Sequence, residues 1–404
     1  MPLEAAAPPG QPAASSLLAF LSIEAGFTAA FALILLRTRA QATTARLLGL
    51  ALLGAVTHLL ERSIVQLCLT NQRPHWAAAG ASLLWVQLLS ASDLLLARRV
   101  ESSQLRDGGS GSAAAYYASA VGLLWNMRRI GTRWQVKNVP SAAREQQQSR
   151  AGFVVSRVVA TLVAYLVVDL VACAPPAEAH LVRADKATLL SLRSLGADDV
   201  VFRAIMTVIY WLITATLNLC MTNAGAIVAV GLGLSRPADC PPLYGSFAEA
   251  FTVRRFWGVS WHQMFRGFLS GHADLVVDKA LPFVPRHSLV SRYARLTIAF
   301  LISGLIHYRA DQLMGVPDAE AGAMVFFLLQ PLAIMLEDAL SPVVTAVLPA
   351  SLRRPLGWIW VLSFIIWSTP RWSYGSARLG VDTAALLPVR LVGPWMGQLL
   401  KSSQ

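Results

Sequence analysis

The strongest constraint on this chain is a series of long stretches almost free of charge. They run over residues 17–36, 47–69, 77–97, 151–173, 200–234, 293–308, 322–348, 356–369 and 386–400. About 20 apolar residues in a helix cross the hydrocarbon core of a bilayer. The chain cannot cover such surface with polar groups: only 14% of its 404 residues are charged and 55% are hydrophobic, against about 25% charged in a soluble protein. The expected fold class is therefore all-α, a polytopic integral membrane protein with about 8–9 transmembrane helices. The last two runs are short and would need tilt or local thinning.

Two of the runs carry interruptions. The uncharged stretch 204–235 is too long for one perpendicular helix, and "TNAG" at 222–225 weakens it. A strong tilt or a break near Asn223 and Gly225 is expected there, because Asn and Gly are poor helix formers. The run 322–348 contains Pro331, Glu337, Asp338 and Pro342 and is expected to break or kink. Freed backbone groups at membrane depth are tolerated only where protein or water satisfies them.

The formal net charge is +12, but the basic residues sit in short segments between apolar runs. No basic domain gathers them, so nucleic-acid binding is not expected. With the first residues on the non-cytoplasmic side, the loops 37–46, 98–150, 235–292 and 349–355 hold 21 Lys and Arg, against seven in the opposite loops. That threefold bias fits the positive-inside rule. Helix-like "AAAYYASAVGLLW" (113–125) is the weak point, since a span there would invert all that follows. Cys68, Cys173, Cys220 and Cys240 show no paired spacing, so neither a disulfide framework nor a zinc site is expected.

The expected organisation is a disordered N-terminal tail over 1–16, transmembrane helices over 17–97, a solvated cytosolic linker over 98–150, and a transmembrane core over 151–404 with its motif region at 236–340. The Pro/Ala-rich tail lacks the basic residues of a signal peptide. The loop 236–292 differs in kind from 98–150, with three histidines and two tryptophans among its basic residues. Phe256, Trp257 and Trp261 would suit a membrane–water interface, and that belt is the bland reading. The stretch "LTIAFLISGLIHYRAD" (296–311) is stranger, because it sets His307 after eleven uncharged residues.

The order of these features carries more than any one of them. "PPLYGSFAEAFTVRRFWGVSWHQ" (241–263), then "LISGLIHY" (301–308), then "FFLLQPLAIMLED" (326–338) resembles the fungal wax-synthase-like branch of the membrane-bound O-acyltransferases. That branch includes acetyltransferases of terpenoid and meroterpenoid secondary metabolism. The resemblance covers roughly residues 200–375 in motifs and the N-terminal half by hydropathy only. In the wider superfamily the F-W-x-x-x-W element is often followed by Asn, whereas here it is followed by His262. The resemblance places the intramembrane histidine at His307. It implies acetyl-CoA (an acyl-CoA) as co-substrate, a hydrophobic alcohol as acceptor, the lipid bilayer as surroundings, no metal and the endoplasmic reticulum as location. Oligomeric state is left open.

Such a reaction has definite chemical needs. A base must take the hydroxyl proton as oxygen attacks the thioester, and histidine suits that task near neutrality. A donor must stabilise the oxyanion, and water must be kept out. His307 is the expected base, with His262 or Trp261 as its polar partner. Arg254, Arg255 and Arg266 lie on the expected cytosolic side, where their guanidinium groups can meet the CoA phosphates. His307 and Asp311 are four apart on one helical face, so Asp311 either fixes the imidazole tautomer or pairs with Arg309. Glu337 and Asp338 match the family's acidic pair, with a structural or an active role equally open.

Two other classes compete. Intramembrane prenyl transfer would need paired acidic magnesium motifs, and "GADDV" at 196–200 has no second cluster to match it. A multi-span transporter of a hydrophobic metabolite is the alternative outside the enzymes, since broken helices and buried polar groups also mark transport sites. The halves show no repeat, which tells against it.

Overall fold

The computed structural model describes residues 13–105, 111–190, 193–380 and 383–395. Among these the only regular structure is helical. Seven helices among the described residues are long and apolar enough to cross a membrane. The run 356–369 falls in a helix, Ala350–Ser368, that misses this requirement because Arg353 and Arg354 occupy its first turns. The run 386–400 falls partly on residues 396–400, outside the described residues, as do residues 1–12 of the expected tail. The chain forms two compact units, Met1–Trp125 and Asn126–Gln404.

The first unit packs α1 (Ala13–Arg37), α2 (Thr43–Thr70), α3 (Pro74–Ser92) and the short apolar α4 (Ala113–Trp125). Its polar side chains serve as fasteners. Arg46 is fully buried and donates to the carbonyls of Leu95, Val100 and Thr38 at 2.8–2.9 Å. Gln87 donates to Glu24 at 2.6 Å, joining α3 to α1, and Trp85 donates to Glu61 at 3.1 Å, joining α3 to α2. Intramembrane carboxylates are costly unless paired; Glu24 and Glu61 each have a donor, while Glu24 Oε2 is buried without one among the described residues.

The second unit contains a short α5 (Ala143–Gln146), then α6 (Arg150–Val171) packed on α7 (Ala197–Gly231). Of the two alternatives, tilt or break, the break at 222–225 does not occur. Thr222 Oγ1 donates to the Asn218 carbonyl at 2.8 Å, and the helix runs on through all 35 residues. A glycine costs a helix about 1 kcal/mol, whereas each unsatisfied backbone group in lipid costs several. Propensity loses. At about 1.5 Å per residue α7 measures about 52 Å, longer than a hydrocarbon core of about 30 Å.

Next come α8 (Val253–Arg255), α9 (Arg266–Ala280), α10 (Leu289–Leu313), α11 (Ala323–Val347), α12 (Ala350–Ser368) and α13 (Pro370–Arg378). α11 also stays one helix with Pro331 and Pro342 inside it, so of the expected break or kink the break does not occur. α10 packs on both α9 and α11. Gly304 permits the latter approach: a Cβ there would lie 3.0 Å from Met324 Sδ and 3.3 Å from Phe327 Cβ.

Beyond α6, the segment 182–189 is tied down by three side chains. Arg203 donates to the Thr188 carbonyl at 2.8 Å, Trp367 to that of Leu189 at 2.9 Å and Arg378 to that of Val182 at 2.7 Å. Residues 126–138, expected as solvated linker, are packed instead. Arg128 donates to the carbonyls of Pro241 and Pro242 at 2.7 and 2.6 Å, and Asn138 to that of Gly258 at 2.7 Å.

Candidate active site

Residues 252–262 turn from a capped helix start into an aromatic cluster. The first N–H groups of a helix have no intrahelical acceptor. Here Glu337 of α11 accepts from Val253 N at 2.5 Å and Arg254 N at 3.2 Å, and Thr252 Oγ1 accepts from Arg255 N at 3.0 Å. Glu337 also takes the indole N–H of Trp360 at 2.8 Å. Beside it, Asp338 accepts from Arg254 at 2.5 Å, Arg292 at 3.0 Å and the Tyr293 hydroxyl at 2.9 Å. The acidic pair therefore anchors this segment.

Past Arg255 the helix widens into a π-type turn, Phe256–Ser260. Such turns aim side chains out of helical register and are frequent at functional sites. Gln263, almost fully buried, holds the turn by donating to the carbonyls of Trp257 at 2.9 Å and Trp261 at 2.6 Å. Arg266 closes it by donating to the Gly258 carbonyl at 3.0 Å and to Gln263 at 2.8 Å.

The rings so placed form a continuous cluster. Trp261 meets Trp211 of α7 edge-on at 4.8 Å and stacks near Phe256 at 5.7 Å. Trp211 donates to Thr369 at 3.0 Å and Trp257 to the buried Gln330 at 2.9 Å. Trp261 has no acceptor for its indole N–H among the described residues. His262 lies against Trp261 and Phe265, with ring centroids 5.3 and 5.2 Å away. Its Nδ1 is buried without a hydrogen-bond partner. Burial first, and the field of His307 second, lower its pKa to about 3, so its imidazole is neutral at physiological pH.

His307 stands on the other side of the cluster. Its ring lies parallel to Phe327 at 4.7 Å and 4°, and Trp372 meets it edge-on at 4.9 Å. Trp372 in turn packs on Phe326 at 5.2 Å and Tyr210 at 5.4 Å. Asp311 does not take up either role expected of it. Its Oδ1 accepts the indole N–H of Trp372 at 3.1 Å.

The structure thus gathers His307, Trp261 and His262 around one aromatic cluster. The three arginines are not gathered. Arg254 binds Asp338, Arg255 pairs with Glu249 and lies over the Phe251 ring, and Arg266 closes the π-type turn. Sequence reasoning missed Trp211, Gln330, Phe327 and Trp372. A usable signal existed for Trp372, since "RWSYG" (371–375) places an aromatic pair in an otherwise polar stretch next to an apolar run.

Comparison with known proteins bears on this geometry. The pattern of the membrane bound O-acyl transferase family matches residues 240–329, from the turn before α8 through His307 to α11. The chain is 31% identical over 402 residues to the acetyltransferase pyr8 of Aspergillus fumigatus, covering 92% of this chain and 90% of that protein. It is 32% identical to the acetyltransferase ataH of Aspergillus terreus over 68% of this chain and 96% of that one. It is 26% identical to the acetyltransferase TRI7 of Fusarium sporotrichioides over 67% and 66%. No solved structure matches the chain.

Proposed function

The chain belongs to the membrane bound O-acyl transferase family, and from that premise we propose that it acetylates a hydroxyl of a terpenoid or meroterpenoid in secondary metabolism, using acetyl-CoA. His307 is the base that takes the hydroxyl proton. Oxygen then attacks the thioester carbonyl, and the oxyanion collapses with loss of the CoA thiolate, which takes up the proton. The Trp261 indole N–H is the donor for that oxyanion, with His262 beside it as a neutral polar partner. A buried polar group left without a protein partner is one that a bound molecule can satisfy.

One observation carries this reading above the rest. The His307 imidazole is walled by Phe327 and Trp372 within a transmembrane helix. An interfacial anchor would reach toward water, whereas an aromatic chamber keeps water from a reactive thioester. The transporter reading has lost its support, since the relatives are acetyltransferases.

Donor binding is assigned to the side of the unit that carries α8 and the start of α10. Arg254 retains a buried Nε without a partner, and an arginine offers five N–H donors, so its bond to Asp338 leaves capacity for a phosphate. Arg255 and Arg266 are proposed as weaker contributors. The core is assigned to residues 151–404, braced by 126–138, in the membrane of the endoplasmic reticulum.

Labelled acetyl-CoA, microsomes bearing the protein and a panel of terpenoid alcohols test the proposal. Acceptor-dependent ester should form, and His307→Ala should lower the rate by about 10²–10⁴-fold. Full activity in that variant would remove His307 from the reaction.

A further inference from the structure

The base at His307 needs more than proximity to a hydroxyl. An imidazole turns about its last side-chain torsion, and only some orientations aim a ring nitrogen at the acceptor proton. A carboxylate or carbonyl on the second ring nitrogen commonly fixes the ring. The nearest candidate in sequence, Asp311, lies one helical turn on, but its carboxylate is bound to Trp372 at 3.1 Å.

Both members of that bond are buried, Asp311 at 5% and Trp372 at 9% exposure. The hydrogen bond from the indole to the Asp311 side chain fixes the rotation of the indole plane. The same indole presents itself edge-on to His307 at 4.9 Å and 63°. Phe327, on the far side, lies flat on the imidazole. Two rings at a steep angle to each other therefore define the imidazole plane, and only one of them is itself locked by a hydrogen bond.

We infer that Asp311 and Trp372 act as one positioning unit for His307, the carboxylate orienting the base through the indole rather than by touching it. This rests on the assignment of His307 as the base and adds to it how the ring is held. Neither residue needs to touch donor or acceptor. Their removal should therefore slow the chemical step while leaving substrate affinity nearly unchanged.

The test is a double-mutant cycle on full-length protein in microsomes, with labelled acetyl-CoA and the best-used alcohol of the terpenoid panel, normalised to folded protein. Trp372→Phe and Asp311→Leu should each lower kcat by about ten- to a hundredfold, with KM for acetyl-CoA within about twofold of the parent. The double variant should be no slower than either single one, because both break the same bond. Asp311→Asn keeps an acceptor for the indole and should recover most of the loss seen with leucine. Additive losses, equal losses in the asparagine and leucine variants, or an unchanged kcat in Trp372→Phe would overturn the inference. Should Trp372→Phe fail to accumulate, the asparagine–leucine comparison decides alone. His307→Ala runs alongside: an inactive alanine variant with fully active Asp311 variants refutes the positioning unit only, and an active one refutes the base assignment with it.

Discussion

His307 and Phe327 lie ring on ring, their planes 4° apart and their centroids separated by 4.7 Å. One ring belongs to α10 and the other to α11, so the seam between the two helices sets the orientation of the imidazole. Gly304, one turn earlier on α10, makes that seam close enough for contact.

Removing the stacking partner should therefore reach the chemistry without reaching the donor. Phe327→Leu is expected to lower kcat by about tenfold, with KM for acetyl-CoA little changed. Steady-state kinetics with labelled acetyl-CoA would check it, and a loss confined to KM would contradict it.

α13 carries Trp372 into the chamber only because Gly322 lets it approach. A Cβ at residue 322 would fall 1.7 Å from the Arg371 carbonyl oxygen, so backbone must move to admit it. Gly322→Ala should lower thermal stability in detergent and reduce kcat together, whereas alanine at Gly225, where a Cβ meets nothing within 4 Å, should do neither.

Glu337 covers two backbone N–H groups and one indole N–H. Glu337→Ala strands all three, and the two backbone N–H groups, which are partly buried, each cost up to about 1–3 kcal/mol when left unsatisfied, while the exposed Trp360 indole costs less. A large drop in melting temperature with loss of activity is expected, and Glu337→Gln, which keeps acceptor oxygen, should lose less. Equal behaviour of the two variants would show that the oxygen's bonds are unimportant.

His262 gives a pH signature. Its ordinary pKa of 6.5 applies in the unfolded chain, and burial with the neighbouring His307 lowers the folded value to about 3. Between those values the unfolded state binds more protons, so stability falls as pH drops through that window and is full above 6.5. The slope is at most roughly 1.4 kcal/mol per pH unit for one group. Thermal melts from pH 7.5 to 5 should show this decline, and His262→Asn should flatten it.

The arginines separate by what they hold. Arg254→Ala should raise KM for acetyl-CoA by about tenfold, as expected for losing a charge-assisted phosphate contact. Arg266→Ala should instead lower kcat and stability, because its guanidinium closes the π-type turn at Gly258. A reversal of those two patterns would assign donor binding to Arg266.

What the sequence discloses depends on where the determining physics lies. His307 stands out because a histidine in an uncharged run conflicts with its local surroundings, and a conflict of that kind is visible without any fold. Of the tilt or break expected near Asn223 and Gly225, the break does not occur, because local propensity is weak beside the demand for backbone hydrogen bonds in lipid, which acts on the whole helix. Glu337 and Asp338 read as an acidic pair, but their partners, Val253 N–H and Arg292 among them, come from distant segments. Trp372 is 65 positions from His307, on a short helix that begins with Pro370. No local pattern links two such residues, and only the packed helices bring them within 4.9 Å.

The ties on segment 182–189 also bear on how the acceptor of the proposed reaction would enter. Hydrogen bonds from Arg203, Trp367 and Arg378, and the bond from Lys186 to Asp199, would have to break before that segment could swing aside. For the lipid-soluble alcohol proposed as acceptor, a sideways route from the bilayer, past exposed apolar side chains such as Leu305 and Leu332, would break none of these bonds. An ester is greasier than the alcohol it came from, so the same route serves its departure. The membrane would then be reservoir and sink for the hydrophobic partners of the proposed reaction.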